Sequence, residues 1–383
     1  GNEDDPMDFS YGEEQQAILE LAGQILRDGT SPERLREIEK SDGPRFDPQL
    51  WAKLAEAGLV GIGIPESLGG GGLGFLEIAG VMEHVGRTAA PVPFYETAVL
   101  GALAIAEYGS DAQREAILPD AAAGQRILTA ALVEPEAPIG SPATRAVRDG
   151  DGWRLDGAKA FVPGAALAHT ILVPASTDEG VAVFLVEREA AGVSLTPHAT
   201  TSGLPESVLA LEGVRVGGDA LLGAPGEGGR IVDFVDLRAN AALCSLALGV
   251  CDAALEQTAE YSKTRKQFDQ PIAMFQSVSH READAYVDTQ AVRLSALEAA
   301  WRIAAGRDAR ESVAIAKHFA SECGARVTRA AQHIHGGVGV DREYPVHRYY
   351  VYARHLELAL GGSMQHLRRL GRAIADGASG SEK

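Results

Sequence analysis

Cysteine is scarce in this chain of 383 residues, which contains only Cys244, Cys251 and Cys323. Three thiols cannot form a disulfide framework, and their spacing is not that of metal ligands. All three fall in apolar stretches with a helical pattern, so we expect buried, unreactive thiols. The sequence therefore predicts neither a disulfide-stabilised secreted domain nor a metal site.

Basic residues are also few, since 35 Lys and Arg stand against 53 Asp and Glu, which gives a formal net charge of −18. A nucleic-acid-binding surface needs clustered positive charge, so this balance argues against nucleic acid as a partner. It does not exclude an anionic small molecule, because a few local arginines can override the average field.

Long apolar runs are missing as well. No stretch of about 18 uncharged apolar residues occurs, so we predict no membrane span. Residues 1–6, GNEDDP, have neither the basic nor the apolar part of a secretory signal. We therefore expect a soluble cytoplasmic protein.

Hydrophobic periodicity divides the chain into three parts. Residues 7–125 have a helical pattern, and 126–228 contain short β-branched runs separated by Gly, Pro, Asp and Ser. Residues 229–380 return to long helical segments joined by short loops. We predict a mainly α protein with an N-terminal helical domain, a central β domain built as a small antiparallel sheet or barrel, and a C-terminal four-helix bundle.

Individual elements can also be placed. Residues 10–13, beginning at Ser10, match a capping box at the start of the first helix. The four glycines at 69–72 are interpreted as a turn, because a phosphate-binding loop needs a preceding strand. Further helices are expected at 48–57, 75–84, 99–108 and 112–123, and the four bundle helices at 231–264, 276–305, 310–334 and 363–375.

The segment RKQFDQPI at 265–272 ends one long helix and leads into the next. Its basic residues suit a helix C-terminus, so a plain helix-turn-helix corner explains it. Arg265 also offers a planar fork suited to a pyrophosphate, and Phe268 a rigid apolar surface beside an adenosine. The residues alone leave both interpretations open.

A second segment, QHIHGGVGV at 332–340, carries three glycines in four positions. Such glycines let a backbone approach a ligand closely and turn its N–H groups toward anionic oxygens. An ordinary loop after a helix explains them equally well. His333 and His335 point to different faces of a helix, so we expect no metal site there.

Together the two segments resemble the acyl-CoA dehydrogenase family, where the corner reads Arg-x-Gln-Phe-Gly-x-Pro-Ile and the loop Gln-x-x-Gly-Gly-x-Gly. Further family-like motifs follow in order along nearly the whole chain: Gly58-Leu59, Pro65-Glu66, Gly69-Gly70, Glu83–Arg87, Glu134-Pro135 and Gly157–Phe161. The resemblance implies the same three-domain order. It also implies an oxidoreductase that uses FAD to oxidise the Cα–Cβ bond of an acyl-CoA thioester.

The same resemblance shows what the chain lacks. Leu360 and Ala239 stand at the two positions where family members carry the catalytic Glu, so we predict no catalytic residue at the usual positions. Asp269 replaces the glycine of the corner. Flavin-side groups of the family are also absent at Val133, Pro163, Asn240 and Gly362.

These substitutions predict that two different subunits share one FAD site. In family tetramers one subunit supplies the flavin ring pocket and the base, while its neighbour supplies the corner and the glycine loop. This chain resembles the subunits without a catalytic Glu in heteromeric bacterial steroid and side-chain acyl-CoA dehydrogenases, which would complete the FAD site of a base-bearing partner. The FAD-binding residues expected from it are Arg265, Gln267, Phe268, Gln276, His333, Gly336 and Gly337.

Two alternatives stay open. The chain could be a self-sufficient dehydrogenase, in a homo-oligomer, with Asp236 or Glu357 as an unusual base. It could also be a flavin-free structural or acyl-CoA-binding relative of these enzymes.

Overall fold

The structure is a computed structural model that describes residues 11–380, with side-chain surroundings for residues 11–375. Ser10, the segment 1–6 and the predicted domain start at residue 7 lie outside the described residues. The first helix begins at Glu13, where the Gln15 side chain accepts a hydrogen bond from the Gly12 N–H at 2.8 Å. A reciprocal side chain therefore caps this helix, two residues later than the sequence predicts.

The N-terminal part of the chain is helical, as predicted, and contains one helix that the sequence did not predict, Pro32–Glu39. The expected helix at 99–108 begins earlier, as a π-helix over Tyr95–Ala102. The α-helices are α1 Glu13–Gly29, α2 Pro32–Glu39, α3 Pro48–Glu56, α4 Phe75–Thr88, α5 Leu103–Tyr108 and α6 Asp111–Ala122.

The middle of the chain forms an eight-stranded sheet in which β1 pairs with β4 beside the main order β6-β7-β3-β2-β4-β5-β8. The pairings are antiparallel except those of β4 with β1 and β2, which are parallel. The strands are β1 Leu128–Ala130, β2 Arg145–Asp149, β3 Gly152–Pro163, β4 Thr170–Thr177, β5 Gly180–Glu187, β6 Val193–Pro197, β7 Glu206–Val216 and β8 Leu221–Leu222.

A buried ion pair braces this sheet. Lys159 on β3 is fully buried and donates to Glu134 Oε1 and to the Pro174 carbonyl, both at 2.6 Å. Glu134 also accepts hydrogen bonds from the N–H and hydroxyl of Thr144. Burial raises the pKa of Glu134, but the hydrogen bonds from Lys159 and Thr144 outweigh burial and hold it below its usual range. Two of the family-like motifs, Glu134-Pro135 and Gly157–Phe161, therefore have a structural role here.

The C-terminal part is a helical bundle with a small hairpin between its first two helices. Its elements are α7 Gly228–Thr264, β9 Lys266–Gln267, β10 Gln270–Pro271, α8 Gln276–Ala304, α9 Arg310–His335, α10 Val346–Leu358 and α11 Ser363–Gly380.

The fourth helix of the bundle is α10, which packs against α7 and α9, whereas α11 packs against α9. The predicted helix at 363–375 forms as α11, and α10 joins the bundle as a helix that the sequence did not predict. Charged residues and histidines between the apolar residues of α10 obscured its helical pattern. Its Arg348 is buried because its guanidinium pairs with both carboxylate oxygens of Glu39 on α2, at 2.7 and 2.9 Å.

Helices α4 and α7 cross with their backbones almost in contact. A Cβ added to Gly249 would lie 1.9 Å from the Glu83 carbonyl oxygen, and one added to Gly86 would lie 2.0 Å from the Leu246 carbonyl oxygen. Beside the crossing, Arg87 of α4 pairs with Asp252 of α7 at 3.3 Å. The family-like motif Glu83–Arg87 therefore lies at one of the contacts that hold the N-terminal helices against the bundle.

Helix α7 forms the centre of the bundle. By length and composition it could cross a membrane, but 78% of its most apolar window is buried inside the protein, as in a core helix. Cys244 and Cys251 of α7 and Cys323 of α9 are all unpaired and buried, which confirms the prediction for the thiols. Burial raises the pKa of Cys244 to about 12, so this thiol stays protonated.

Candidate functional site

A cavity of about 1020 Å³ lies where the three parts of the chain meet. The N-terminal part contributes the π-helix, whose first turn presents Tyr95 and Glu96 to it. Helices of this type are rare and are frequent at functional sites. The sheet contributes β3 and β7, and the bundle contributes α10 with the loop that follows it.

Three positions predicted to have lost their flavin-side groups or the catalytic Glu line this cavity: Val133, Pro163 and Leu360. Ala239, the second substituted base position, is fully buried in α7 and does not line it. A flavin ring needs hydrogen-bond donors at its nitrogen and carbonyl edge, and the side chains of Val133 and Pro163 offer none. At these two positions the cavity therefore offers a flavin ring no side-chain donor.

A buried lysine of α9 holds the loop after α10 in place through hydrogen bonds to its backbone. Lys317 of α9 donates to the Leu356 carbonyl at 2.8 Å and to the Gly361 carbonyl at 3.2 Å. Leu360 between them has φ +53°, in the left-handed region. Burial lowers the pKa of Lys317 to about 8. The segment where the resemblance places a catalytic base thus forms a wall of the cavity, held by Lys317.

Neither carboxylate predicted as an alternative base lies on the cavity. Asp236 accepts hydrogen bonds from Arg369 at 2.9 Å and from Asn240 at 3.0 Å. Glu357 pairs with Arg354 at 2.6 Å. Both carboxylates are therefore occupied by neighbours of this chain.

Among the described residues, three carboxylates line the cavity: Glu134, which pairs with Lys159, and Glu96 and Glu206, for which no sequence motif provides a signal. Glu96 on the π-helix and Glu206 at the start of β7 line it, together with His355 of α10. Burial raises the pKa of Glu96 and that of Glu206 to about 7. Burial, and then the charge of Lys317, lower the pKa of His355 to about 4, so its imidazole is neutral at pH 7. These residues come from three distant segments, so no spacing in the sequence relates them.

The predicted cofactor corner lies on the outer surface instead. Strands β9 and β10 form a hairpin whose two-residue turn is Phe268 and Asp269, with φ of +50° and +64°. Phe268, at the tip of the hairpin, is 89% exposed. Arg265, Gln267 and Gln276 are also exposed.

The structure brings the glycine loop to the same surface. The ring of Tyr261, near the end of α7, stacks on His335 with centroids 4.3 Å apart, and Gly336 follows directly. Gly336 and Gly337 are exposed, and a Cβ added at either would meet nothing. His333 is exposed at the end of a cleft of about 530 Å³ between α8 and α9. The predicted FAD-contacting residues are thus all exposed, and the stacking of Tyr261 on His335 places the glycine loop beside the end of α7.

Within the part of the chain that the structure describes, no group of three or more His, Cys, Asp or Glu is placed to hold a metal ion.

Three family models match successive parts of the chain. They describe the N-terminal domain of acyl-CoA dehydrogenases at residues 12–125, the middle domain at 131–212 and the C-terminal domain at 237–375.

Individual proteins match over almost the full length. FadE27, an acyl-CoA dehydrogenase of Mycobacterium tuberculosis, is 40% identical over 378 residues, which cover 97% of this chain and 99% of FadE27. The crystal structure of the ChsE4-ChsE5 complex from Mycobacterium tuberculosis contains a chain with 40% identity and a TM-score of 0.91, covering 96% of this chain and 99% of that one. A variant of the Tcur3481-Tcur3483 steroid ACAD gives 40% identity and a TM-score of 0.89, with the same coverage.

Proposed function

Because the chain belongs to the acyl-CoA dehydrogenase family, whose members are oxidoreductases acting on CH–CH groups, we propose that it is the subunit that completes the FAD site of a base-bearing partner. Membership confirms the resemblance, the fold and the enzyme class predicted from the motifs. The partner would supply the ring pocket and the catalytic base, and the substrate of the assembly would be an acyl-CoA thioester.

One observation carries this proposal: the chain presents the two halves of a family flavin site in opposite states. The cavity positions that should meet the ring, Val133 and Pro163, are apolar. The surface positions that should meet a neighbour's cofactor, such as Arg265 and Phe268, are exposed and make no described contact with an anion. A subunit that serves only its neighbour's site needs the second half alone.

The exposed residues have the chemistry that this role requires. Arg265 can present two parallel N–H groups to pyrophosphate oxygens, and Gly336 and Gly337 leave their backbone open to close approach. Phe268 offers an apolar face to an adenosine. FAD, when bound, supplies the hydride acceptor for the reaction.

The outer face of α8 supports a partner subunit as well. Tyr286, Val287 and Leu294 are each more than half exposed along this helix. Large apolar side chains grouped on one surface are typical of a protein interface. One of the similar structures is a complex of two named proteins, and another bears two protein names and is a steroid ACAD. We therefore extend the proposal to a hetero-oligomer acting on a steroid-derived acyl-CoA, in the cytoplasm.

The test begins with the chain purified alone and again after co-expression with a base-bearing family member. We expect no flavin absorbance and no turnover of acyl-CoA from the chain alone, and both from the complex. Full flavin occupancy with turnover by the lone chain would overturn the proposal.

A variant then tests the clamp itself. In the complex, Arg265→Ala should weaken FAD retention by roughly 10- to 100-fold, since a charged hydrogen-bonding pair contributes about 1.5–3 kcal/mol. Lys263→Ala is the matched control, because Lys263 is an exposed basic residue on the same helix end. Equal losses in the two variants would remove Arg265 from the site and leave only a general effect of charge.

A further inference from the structure

The cavity between the three parts of the chain holds two carboxylates, Glu96 and Glu206, to which no described side chain donates a hydrogen bond, although a backbone N–H reaches Glu96. The Glu206 side chain is only 10% exposed, and its nearest basic atom is His355 Nε2 at 3.7 Å. A desolvated carboxylate is costly unless a donor or a cation meets it. The two carboxylates therefore need a hydrogen-bond donor or a cation from a ligand.

The other groups around the cavity do not supply that partner. The His355 imidazole is neutral at pH 7, since burial lowers its pKa to about 4. Arg45 is turned to Glu39 at 3.6 Å and donates to the Ser202 and Ala89 carbonyls.

The remaining titratable groups on the facing elements include two tyrosines, four arginines and a histidine. Burial raises the pKa of both tyrosines. Arg354 on α10 pairs with Glu357, and Arg369 on α11 pairs with Asp236. Arg368 and Arg372 stand on exposed positions of α11. These facing groups are Tyr95, Tyr352, His198, Arg354, Arg368, Arg369 and Arg372.

The chemistry of the cavity defines a ligand class. Apart from the polar groups just named, much of its wall is apolar, including Val85, Leu243 and Leu246, and its volume is at the upper end of the roughly 300–1,000 Å³ of ligand pockets. We propose that this cavity binds a lipophilic amine, with its hydrocarbon body on the apolar wall and its ammonium group between Glu96 and Glu206.

The position of the cavity makes this site separate from the proposed cofactor surface. The FAD-contacting residues Arg265, Phe268 and Gly336 lie on the outer face of the bundle and do not line the cavity. Amine binding therefore does not depend on the assembly with a partner, and it can be measured on the full chain alone.

Adamantan-1-amine and adamantan-1-ol are suitable probes, because they share one rigid apolar cage and differ only in the polar group. In calorimetry at pH 7 we expect the amine to bind at least tenfold more tightly than the alcohol. A nearby cation favours ionised carboxylates. Titrations in two buffers of different ionisation enthalpy should therefore show release of protons on amine binding, and none with the alcohol.

Variants locate the contact. Glu206→Gln should weaken amine binding at least tenfold and leave the affinity for the alcohol within about twofold, as should Glu96→Gln. Glu179→Gln, at an exposed carboxylate of the same β region, should change neither. Circular dichroism establishes whether each variant is folded. If either variant does not fold, proton release by the unmodified chain in the two-buffer titration tests the proposal instead.

Three results would overturn the proposal: equal affinity for amine and alcohol, no saturable binding of the amine at millimolar concentration, or unchanged amine binding in both folded Gln variants. None of them bears on the proposed FAD role, which is measured separately by flavin retention in the complex.

Discussion

At the scale of single residues, the turn of the small hairpin explains why the chain departs from the family motif. Phe268 and Asp269 both have positive φ, as a two-residue hairpin turn requires. Glycine adopts this conformation without steric cost, and Asp tolerates it better than most residues. Asp269 thus preserves the shape of the corner, but it places a negative charge where a pyrophosphate is expected.

Asp269→Gly should therefore increase FAD retention by the complex, by roughly 3- to 10-fold, because it removes the repelling charge and relaxes the turn. Equilibrium dialysis of FAD from the complex measures this. Asp269→Asn removes the charge while keeping a residue suited to the turn, so it separates the two effects. Weaker retention in both variants would mean that Asp269 contacts something other than the cofactor.

At the scale of secondary structure, the crossing of α4 and α7 is the tightest contact between the N-terminal helices and the bundle. No side chain fits between them at Gly249, because the Glu83 carbonyl occupies the place of a Cβ. A second buried helical glycine, Gly324 of α9, has its nearest obstacle, Cys251 Sγ, at an ordinary 3.7 Å. The two glycines therefore form a matched pair.

Gly249→Ala should lower the free energy of unfolding by about 3 kcal/mol or more, because backbone cannot move aside as a side chain can. Gly324→Ala should raise it by up to about 1 kcal/mol, through the better helix propensity of alanine. Urea unfolding followed by circular dichroism compares them. Similar values for the two variants would show that the helices separate at little cost.

At the scale of the whole molecule, the cavity carboxylates link stability to pH. Burial raises the pKa of Glu206 from 4.5 to about 7, so between these values the folded chain binds more protons than the unfolded one. The free energy of unfolding must then fall as pH rises through this interval. Glu206→Gln removes this contribution, because its amide does not titrate.

We expect Glu206→Gln and the unmodified chain to be almost equally stable near pH 4.5, and the variant to gain up to about 3 kcal/mol by pH 8. Urea unfolding at a series of pH values gives the difference, and Glu179→Gln should follow the unmodified chain throughout. A difference that stays constant with pH would mean that Glu206 has an ordinary pKa in the folded protein.

The sequence predicted elements and surface motifs well, because both depend on residues close together in the chain. The periodicity of 276–305 matches α8, and the corner at Arg265 lies where the long helices meet, as expected. Helix α10 was missed, because charged residues such as Arg348, which is buried through its pair with Glu39, interrupt the apolar pattern of this helix. Glu96 and Glu206 were also missed, since their importance comes from a cavity that exists only when three distant segments pack together.

The exposed ring of Phe268 has a consequence for how the chain must be produced. With a side chain 89% in water at a hairpin tip, and an apolar stripe along α8, a molecule without its partner carries a surface suited to the wrong contacts. Copies made in excess would aggregate or be degraded, while copies made in step with the partner would be covered. Under the proposed assembly, synthesis of the two subunits in equal number, at the same time and place, would keep this surface covered.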